Sequence, residues 1–478
     1  MTLFTEQLYR SFQTHTGNAA LKIGDKTYTY GEILQISSGI RMHLKNCSSQ
    51  NIGLFLTGDV EMYAAILAIW FEGKTYVPVH PDFPLKRNQQ IISQAEIKTL
   101  ISSVPMTKSF DIEIISSEGL TGDIVNPPLE AEPLYNAYIL FTSGSTGEPK
   151  GVPITFSSLS YFIDSYHDTF GGITEKDTFL QMFELTFDMS VFSYLLPWLH
   201  GAEVVGLHKK EAKFLQILDL LEADEITVAH MVPSILNLIQ PYLDSEIQNS
   251  SLRLNLFAGE PLLTRQMSFW RSFVPNAEIY NTYGPTENTI ICTAYKIDGT
   301  IDDRNGIISI GKPMKHNDIL LVDENFSQGE LLLGGKLLTA GYWKNPQKTA
   351  EAFINKNGKR FYKTGDWCEK DGNGNIFYKN RIDFQGKING FRVELSEIEY
   401  LANQITDAAS TAVIYKDGHS NDQLALFVQG SHEVTDLRNK LSELLPDYAV
   451  PSKIICLERF PLNTSGKIDR HELIKLLQ

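Results

Sequence analysis

Two rhythms of apolar residues run along the chain. Asn51 to Thr57, Gly73 to Val79, Ile97 to Ser102, Ile112 to Ile115, Tyr138 to Phe141, Ile226 to Met231, Leu252 to Phe257 and Glu278 to Tyr280 are short apolar runs bounded by polar or glycine residues. Such runs read as buried strands. Between them, Thr27 to Glu32 ends a strand and opens a helix in which Ile33, Leu34, Ile40 and Leu44 recur at helical spacing. Ser157 to Phe170 is a second helix. Met62 to Phe71 is apolar on every side and predicts a buried helix, at roughly half the length of a membrane span. Strands alternating with helices imply an α/β body with largely parallel sheets.

From Ile307 the rhythm changes. Ile319 to Asp323 and Gly329 to Gly335 are short strands punctuated by glycine, which predicts an antiparallel, β-barrel-like subdomain. Arg381 to Lys387 marks a domain boundary, giving an N-terminal core over 1–381 and a small, mobile α+β domain over 382–478. About a hundred residues suffice for such a domain. In it, Ser396 and Glu399 form a capping-box pattern for a helix carrying Ile398 and Leu401. Ala412 to Tyr415 and Leu424 to Val428 read as strands, and Asp469 caps a terminal helix.

Composition narrows the class. The 478 residues exceed one ordinary core. A net charge of −15 argues against nonspecific nucleic-acid binding. The four cysteines, Cys47, Cys292, Cys368 and Cys456, are far apart in sequence, so neither a disulfide framework nor a zinc site is expected. Together with an amino terminus lacking a signal-peptide core, this predicts a cytoplasmic protein without a transmembrane segment.

The candidate chemistry lies in loops that follow strands, where open α/β sheets bind ligands. The run after Phe141 is Thr142-Ser143-Gly144-Ser145-Thr146-Gly147-Glu148-Pro149-Lys150-Gly151. Its glycines admit close backbone approach, its amides and hydroxyls offer donors, and Lys150 adds charge, so it is suited to phosphate. It is not a Walker A loop, which needs Gly-Lys-Ser/Thr. The strand ending at Phe257 leads into Ala258-Gly259-Glu260-Pro261, and the next leads into Asn281-Thr282-Tyr283-Gly284-Pro285-Thr286-Glu287. Tyr362-Lys363-Thr364-Gly365-Asp366-Trp367 and Asn463-Thr464-Ser465-Gly466-Lys467 complete the set.

In this order the blocks resemble the adenylate-forming superfamily, close to the adenylation domains of nonribosomal peptide synthesis and to D-alanine–carrier protein ligases. The resemblance spans nearly the whole chain. It implies ATP-dependent activation of a carboxylate as an acyl-adenylate, then transfer to a phosphopantetheine thiol on a carrier protein. It places Thr142, Ser143, Gly144, Ser145, Thr146, Gly147 and Lys150 on the β- and γ-phosphates, Thr286 at the α-phosphate and Glu287 on Mg²⁺. It sets Tyr283 on adenine, within Asn281, Thr282 and Gly284, with Gly259, Glu260 and Pro261 beside the base. Asp366 and Arg381 take the ribose, Lys467 is the mobile catalytic lysine and Asp383 the hinge. Gly386 replaces the usual Val or Ile, implying a softer loop. Plainer roles exist for single residues: Glu287 as a helix-start acid, Tyr283 as core, and Asp366 as a turn residue.

The resemblance also implies the acyl substrate. Asp188 corresponds to the acid that binds an α-ammonium. A carboxylate in an apolar patch needs a cation, although an acid opening a helix is the alternative. Met189, Phe192, Met231, Leu256, Ala258, Thr282, Ile290 and Ile291 would line the pocket. None is charged, which predicts a small or medium apolar amino acid. Ala258 stands where D-alanine ligases carry cysteine, and His80-Pro81 replaces the acid-Pro of peptide-synthetase domains. No carrier segment follows Lys467, so the carrier is expected in trans. An acyl- or aryl-CoA ligase is the rival reading, and Asp188 argues against it.

Overall fold

The computed structural model describes the chain except residues 1–3, 56, 107–109, 124–126, 143–147, 209–211, 244–247, 323–326, 383–384, 389, 418–421, 463–467 and 478. The chain divides into two compact units. Residues 1–80, 95–140 and 151–382 form the larger, and 81–94, 141–150 and 383–478 the smaller.

Two sheets dominate the larger unit. One has nine strands among the described residues, in the order Lys312–Pro313, Thr293–Lys296, Glu278–Tyr283, Leu254–Phe257, Val228–Met231, Thr178–Gln181, Glu203–Gly206, Ala19–Ile23 and Lys26–Thr29. Its interior pairs are parallel and its edges antiparallel. The other runs Glu113–Ser116, Thr99–Ser102, Asn51–Phe55, Thr75–Val79, Asn136–Thr142 and Lys150–Thr155. Strands buried on both faces need continuous apolar runs, and Asn51–Phe55 and Thr75–Val79 are buried at every position.

Helix Val60–Phe71 is buried at every position but Glu61, and the Asp59 side chain caps it by accepting from the Met62 amide. Each large apolar side chain so buried contributes about 1.5–3 kcal/mol. Helix Tyr30–Leu44 begins with a reciprocal capping box between Thr29 and Glu32. The third sheet is antiparallel, built from Asn317–Val322, Gln328–Gly335, Lys359–Lys370, Phe353–Lys356 and Ile376–Arg381. It is the part whose glycine turns break the earlier rhythm of the chain.

The smaller unit carries a three-stranded sheet, Ser410–Lys416, Asp422–Gln429 and Lys453–Leu457, and a hairpin of Gln385–Ile388 with Phe391–Glu394. The capping box expected at Ser396 is not formed. Helix Leu395–Thr406 starts two residues earlier than that cap would set, and its N-cap Glu394 makes no side-chain cap bond. The Glu399 carboxylate instead accepts from the Ala412 amide at 2.8 Å and from Arg470 Nη2 at 2.6 Å. A tertiary ion pair outcompetes the local cap. Asp469 does cap helix Arg470–Lys475, accepting from the Glu472 amide at 3.2 Å.

Gly386 lies in the strand Gln385–Ile388. A Cβ there would lie 2.0 Å from Ile414 Cδ1. The glycine makes room for Ile414, and its φ is not among the positive ones. Among the described residues, no helix is long and apolar enough to cross a membrane.

Candidate active site

Three residues expected to bind nucleotide meet on the larger unit: Tyr283 and Arg381 at the ends of their strands and Asp366 inside the strand Lys359–Lys370. Tyr283 closes Glu278–Tyr283 and donates its hydroxyl to Asp366 Oδ2 at 2.5 Å. Arg381 Nη1 donates to Asp366 Oδ1 at 2.8 Å, and its Nη2 donates to the Thr364 carbonyl at 3.0 Å. Asp366 and Arg381 face each other in register on antiparallel strands. Burial, then the Asp366 charge, pushes the Tyr283 phenol well above its ordinary pKa, so it stays a donor. Two acceptor oxygens carry about four lone-pair positions. Asp366 therefore keeps capacity for further hydroxyl donors while it is held between Tyr283 and Arg381.

The loop after Tyr283 is tightly determined. Asn281 Nδ2 donates to the Ile308 and Ser309 carbonyls at 3.2 and 2.9 Å. Thr282 Oγ1 donates to the Phe257 carbonyl at 2.9 Å. Gly284 has no room for a side chain: a Cβ would sit 2.4 Å from the Ile290 carbonyl oxygen and 2.5 Å from Ile291 Cα. Thr289 and Ile290 have φ of 50° and 72°. Branched residues rarely take such values, at about 1–3 kcal/mol each. The Thr289 hydroxyl holds the turn by donating to the Leu337 carbonyl at 2.6 Å.

Glu287 lies in the short 3₁₀ turn Thr286–Asn288 and is fully buried. Tyr342 donates its hydroxyl to Glu287 Oε1 at 2.9 Å. A buried carboxylate next to Thr286, the residue assigned to the α-phosphate, suits a hard cation. Among the described residues no group of three or more His, Cys, Asp or Glu forms a metal cluster. A Mg²⁺ bound mainly by phosphate oxygens and one carboxylate needs none. Gly259 takes φ of 94°, and Glu260 Oε2 accepts from the Ser234 amide at 2.9 Å. Pro261 follows on the exposed side of this turn.

Thr142 and Lys150 belong to the smaller unit. The Thr142 hydroxyl faces the Lys150 carbonyl at 3.5 Å, and Lys150 Nζ lies 3.4 Å from Glu394 Oε1. Thus the buried lysine assigned to phosphate has a carboxylate partner here. Ser143, Gly144, Ser145, Thr146, Gly147, Asp383 and Lys467 lie outside the described residues.

At the acyl end, helix Asp188–Trp198 begins at Asp188, with Phe187 as a cap that makes no side-chain bond. Asp188 is 8% exposed. It therefore sits in the first turn, where the helix dipole favours an acid, and does not itself cap. Its charge contributes to the raised pKa of Tyr138 and of Tyr76, after burial in both cases. Those two tyrosines are in-register neighbours on adjacent strands. The Asp188 carboxylate thus stands near an aromatic floor.

Phe192 follows one helical turn later. It shares one core cluster with Leu256, Ala258, Ile290 and Ile291, with partly buried Met189 packed against it. Met231 does not join them. In-register residues of a parallel sheet share a face, and His230 pairs with Leu256, which pairs with Tyr280. Met231 pairs with Phe257 on the opposite face and packs in the second core cluster. A strand's period of two makes a one-residue slip a change of face. On the face of Phe192 this strand presents His230, whose ring centroid lies 3.7 Å from that of Phe192. A lone histidine in the apolar run Ile226 to Met231, in step with Leu256 and Ala258 on the next strand, was the signal that could have found it. Tyr342, the partner of Glu287, had no comparable signal.

Comparison with known proteins identifies the family. Residues 8–343 match the family model described as "AMP-binding enzyme". The chain is 32% identical to zwittermicin A synthase ZmaJ of Bacillus cereus, covering 99% of this chain and 94% of that protein. It is 30% identical to gramicidin S synthase 1 of Brevibacillus brevis, over 98% of this chain but 44% of that longer protein. The Vibrio cholerae adenylation domain AlmE, solved in complex with glycyl-adenosine-5'-phosphate, shares the fold with a TM-score of 0.88 and 23% identity, covering 100% of this chain and 98% of that one. This chain belongs to the AMP-binding enzyme family of the adenylate-forming superfamily.

Proposed function

We propose that this protein activates an amino acid with ATP and passes it to the phosphopantetheine thiol of a separate carrier protein. In the first half-reaction a substrate carboxylate oxygen bonds to the α-phosphorus, and the bond to pyrophosphate breaks. In the second, the thiol sulfur takes the acyl carbon and AMP leaves. Such chemistry needs positioning and charge neutralisation rather than a protein nucleophile. Asp366 and Arg381 orient the ribose and Tyr283 the base. Glu287 is the residue that would hold Mg²⁺, which neutralises phosphate charge when bound. Lys467 is assigned to the adenylation step and Asp383 to the hinge between the two steps.

The observation that carries the amino-acid reading is Asp188, a nearly buried carboxylate near two tyrosines. A substrate ammonium is the cation that such a site recognises. A fatty or aryl acid offers none. The similarity to a zwittermicin A synthase and to an adenylation domain solved with a glycyl-adenylate supports the same class. The free cysteines support a reducing, cytoplasmic setting.

Pyrophosphate exchange over L- and D-amino acids, with D-alanine and simple aryl and fatty acids in the same panel, tests this reading. Exchange with amino acids is expected. Exchange with the simple acids alone would assign an acyl- or aryl-CoA ligase instead. Lys467→Ala is expected to stop adenylate formation and spare transfer from a supplied aminoacyl-adenylate.

A further inference from the structure

One short segment, residues 339–343, ties the buried Glu287 to the strand that follows the glycine-rich loop. Thr339 is buried and bonds twice. Its amide donates to the Glu287 carbonyl at 2.9 Å, and its hydroxyl donates to the Pro153 carbonyl at 2.6 Å. The Trp343 amide donates to the Gly151 carbonyl at 2.8 Å. Gly151 and Pro153 lie on strand Lys150–Thr155. Between these anchors, the Tyr342 hydroxyl donates to Glu287 Oε1 at 2.9 Å. The segment therefore holds Glu287 in one frame with the exit of the loop assigned to phosphate.

We propose that Tyr342 is a positioning residue: its hydroxyl fixes the Glu287 carboxylate in the orientation that receives the divalent cation accompanying ATP. This rests on the assignment of Glu287 to Mg²⁺. The choice of donor matters. A phenol donates one hydrogen bond and leaves the carboxylate its charge, whereas a lysine or arginine in its place would neutralise it. A carboxylate has about four lone-pair positions, and this bond uses one. Carboxylates that ligate metal ions are themselves held by hydrogen bonds, which orient them and raise affinity.

The place of Tyr342 is set independently of that bond. Gly341 has φ of 136°, and a Cβ there would lie 2.5 Å from Thr349 Cγ2. This glycine turn brings the Tyr342 amide onto the Thr349 hydroxyl at 3.0 Å. The Thr349 hydroxyl in turn donates to the Asn345 carbonyl at 2.7 Å. The Tyr342 ring meets Phe353 edge to face, with centroids 5.8 Å apart. Phenylalanine at this position keeps the turn, the amide bond and the ring contact, and deletes the hydroxyl alone. Thr339 still holds the Glu287 main chain, so the variant loosens only the carboxylate.

The test is ATP binding by the full-length protein, read as the thermal-melt shift at fixed ATP over a series of free Mg²⁺ concentrations, with a parallel measurement in EDTA. Tyr342→Phe is expected to raise the half-saturating Mg²⁺ concentration about 10–100-fold. Its ATP binding in EDTA and its nucleotide-free melt should match the unaltered protein. In Glu287→Gln there is no charged carboxylate to place, so adding Tyr342→Phe should shift the Mg²⁺ series little further. An unshifted series in Tyr342→Phe would overturn the proposal. So would equal weakening with Mg²⁺ and in EDTA, an undiminished further shift in the Glu287→Gln background, or loss of a cooperative melt, since each makes the tyrosine merely structural. A series unaltered by Glu287→Gln would overturn the assignment of Glu287 as well.

Discussion

The two ends of the site on the larger unit are built on opposite plans. At the nucleotide end, Asp366 is already held by Tyr283 and Arg381, and Glu287 by Tyr342. At the acyl end, His230 Nδ1 and the Tyr138 hydroxyl are buried with no hydrogen-bond partner among the described residues. The first plan suits a ligand that never changes: the polar groups are fixed in place before ATP arrives. The second suits a choice among ligands. Groups that become satisfied only when the right molecule enters supply discrimination, because the wrong molecule leaves them stranded.

The largest break in this contrast is Asp188→Asn. It keeps the shape and removes the charge. Losing one partner of a buried charge pair costs about 2–5 kcal/mol, or roughly thirty- to several-thousand-fold. The loss should fall on amino-acid kcat/KM while KM for ATP stays put, and a des-amino analogue should lose far less. Equal losses for both substrates would make Asp188 structural. Asp366→Asn should do the reverse. Hydrogen bonds to a charged group contribute about 1.5–3 kcal/mol, so KM for ATP should rise roughly ten- to a hundredfold. The ranking of amino acids should not move. If it does, the ends are not separable as described.

Acid supplies a third, smaller probe. Burial, and then the neighbouring His167, push His200 down to about 4, with Asp177 opposing and His15 assisting. An imidazole whose folded pKa is below its unfolded value stabilises the fold fully above about 6.5. That contribution is lost as pH falls toward about 4. Thermal melts from pH 7 to 4 should show declining stability, less steep in His200→Gln. Activity losses over that range must be read against this background. A flat melting profile would contradict the assignment. The smallest effect belongs to Met231→Leu. A volume-conserving core swap usually costs under about 1.5 kcal/mol, and on the far face it should leave amino-acid preference unchanged. A shifted preference would return Met231 to the pocket.

Much of this was legible in the sequence. The alternation of strands and helices foretold the parallel sheets, and glycine spacing marked the antiparallel part. The motif blocks named Asp366, Arg381, Tyr283 and Glu287, and the structure brings Tyr283, Asp366 and Arg381 into contact. What escaped follows from two physical facts. Register is a tertiary property: whether His230 or Met231 faces Phe192 is decided by pairing with Leu254–Phe257, not by the strand's own apolar run. Side-chain competition is tertiary too. Ser396 and Glu399 satisfy a local capping rule, yet Arg470, 71 residues away in sequence, claims the carboxylate.

The backbone contact at Gly284 gives the two plans a common mechanical part. Gly284 adjoins Tyr283, which grips the carboxylate assigned to the ribose, and a Cβ added at Gly284 would meet the main chain of Ile290 and Ile291, which are assigned to the pocket. No further atom fits at that crossing, and the adjoining turn has already spent its torsional freedom on two left-handed residues. An oversized side chain that pushes the isoleucines outward therefore also levers Tyr283. If those isoleucines wall the pocket as proposed, error at one end becomes misalignment at the other, and the rate of the chemical step as well as occupancy would record it.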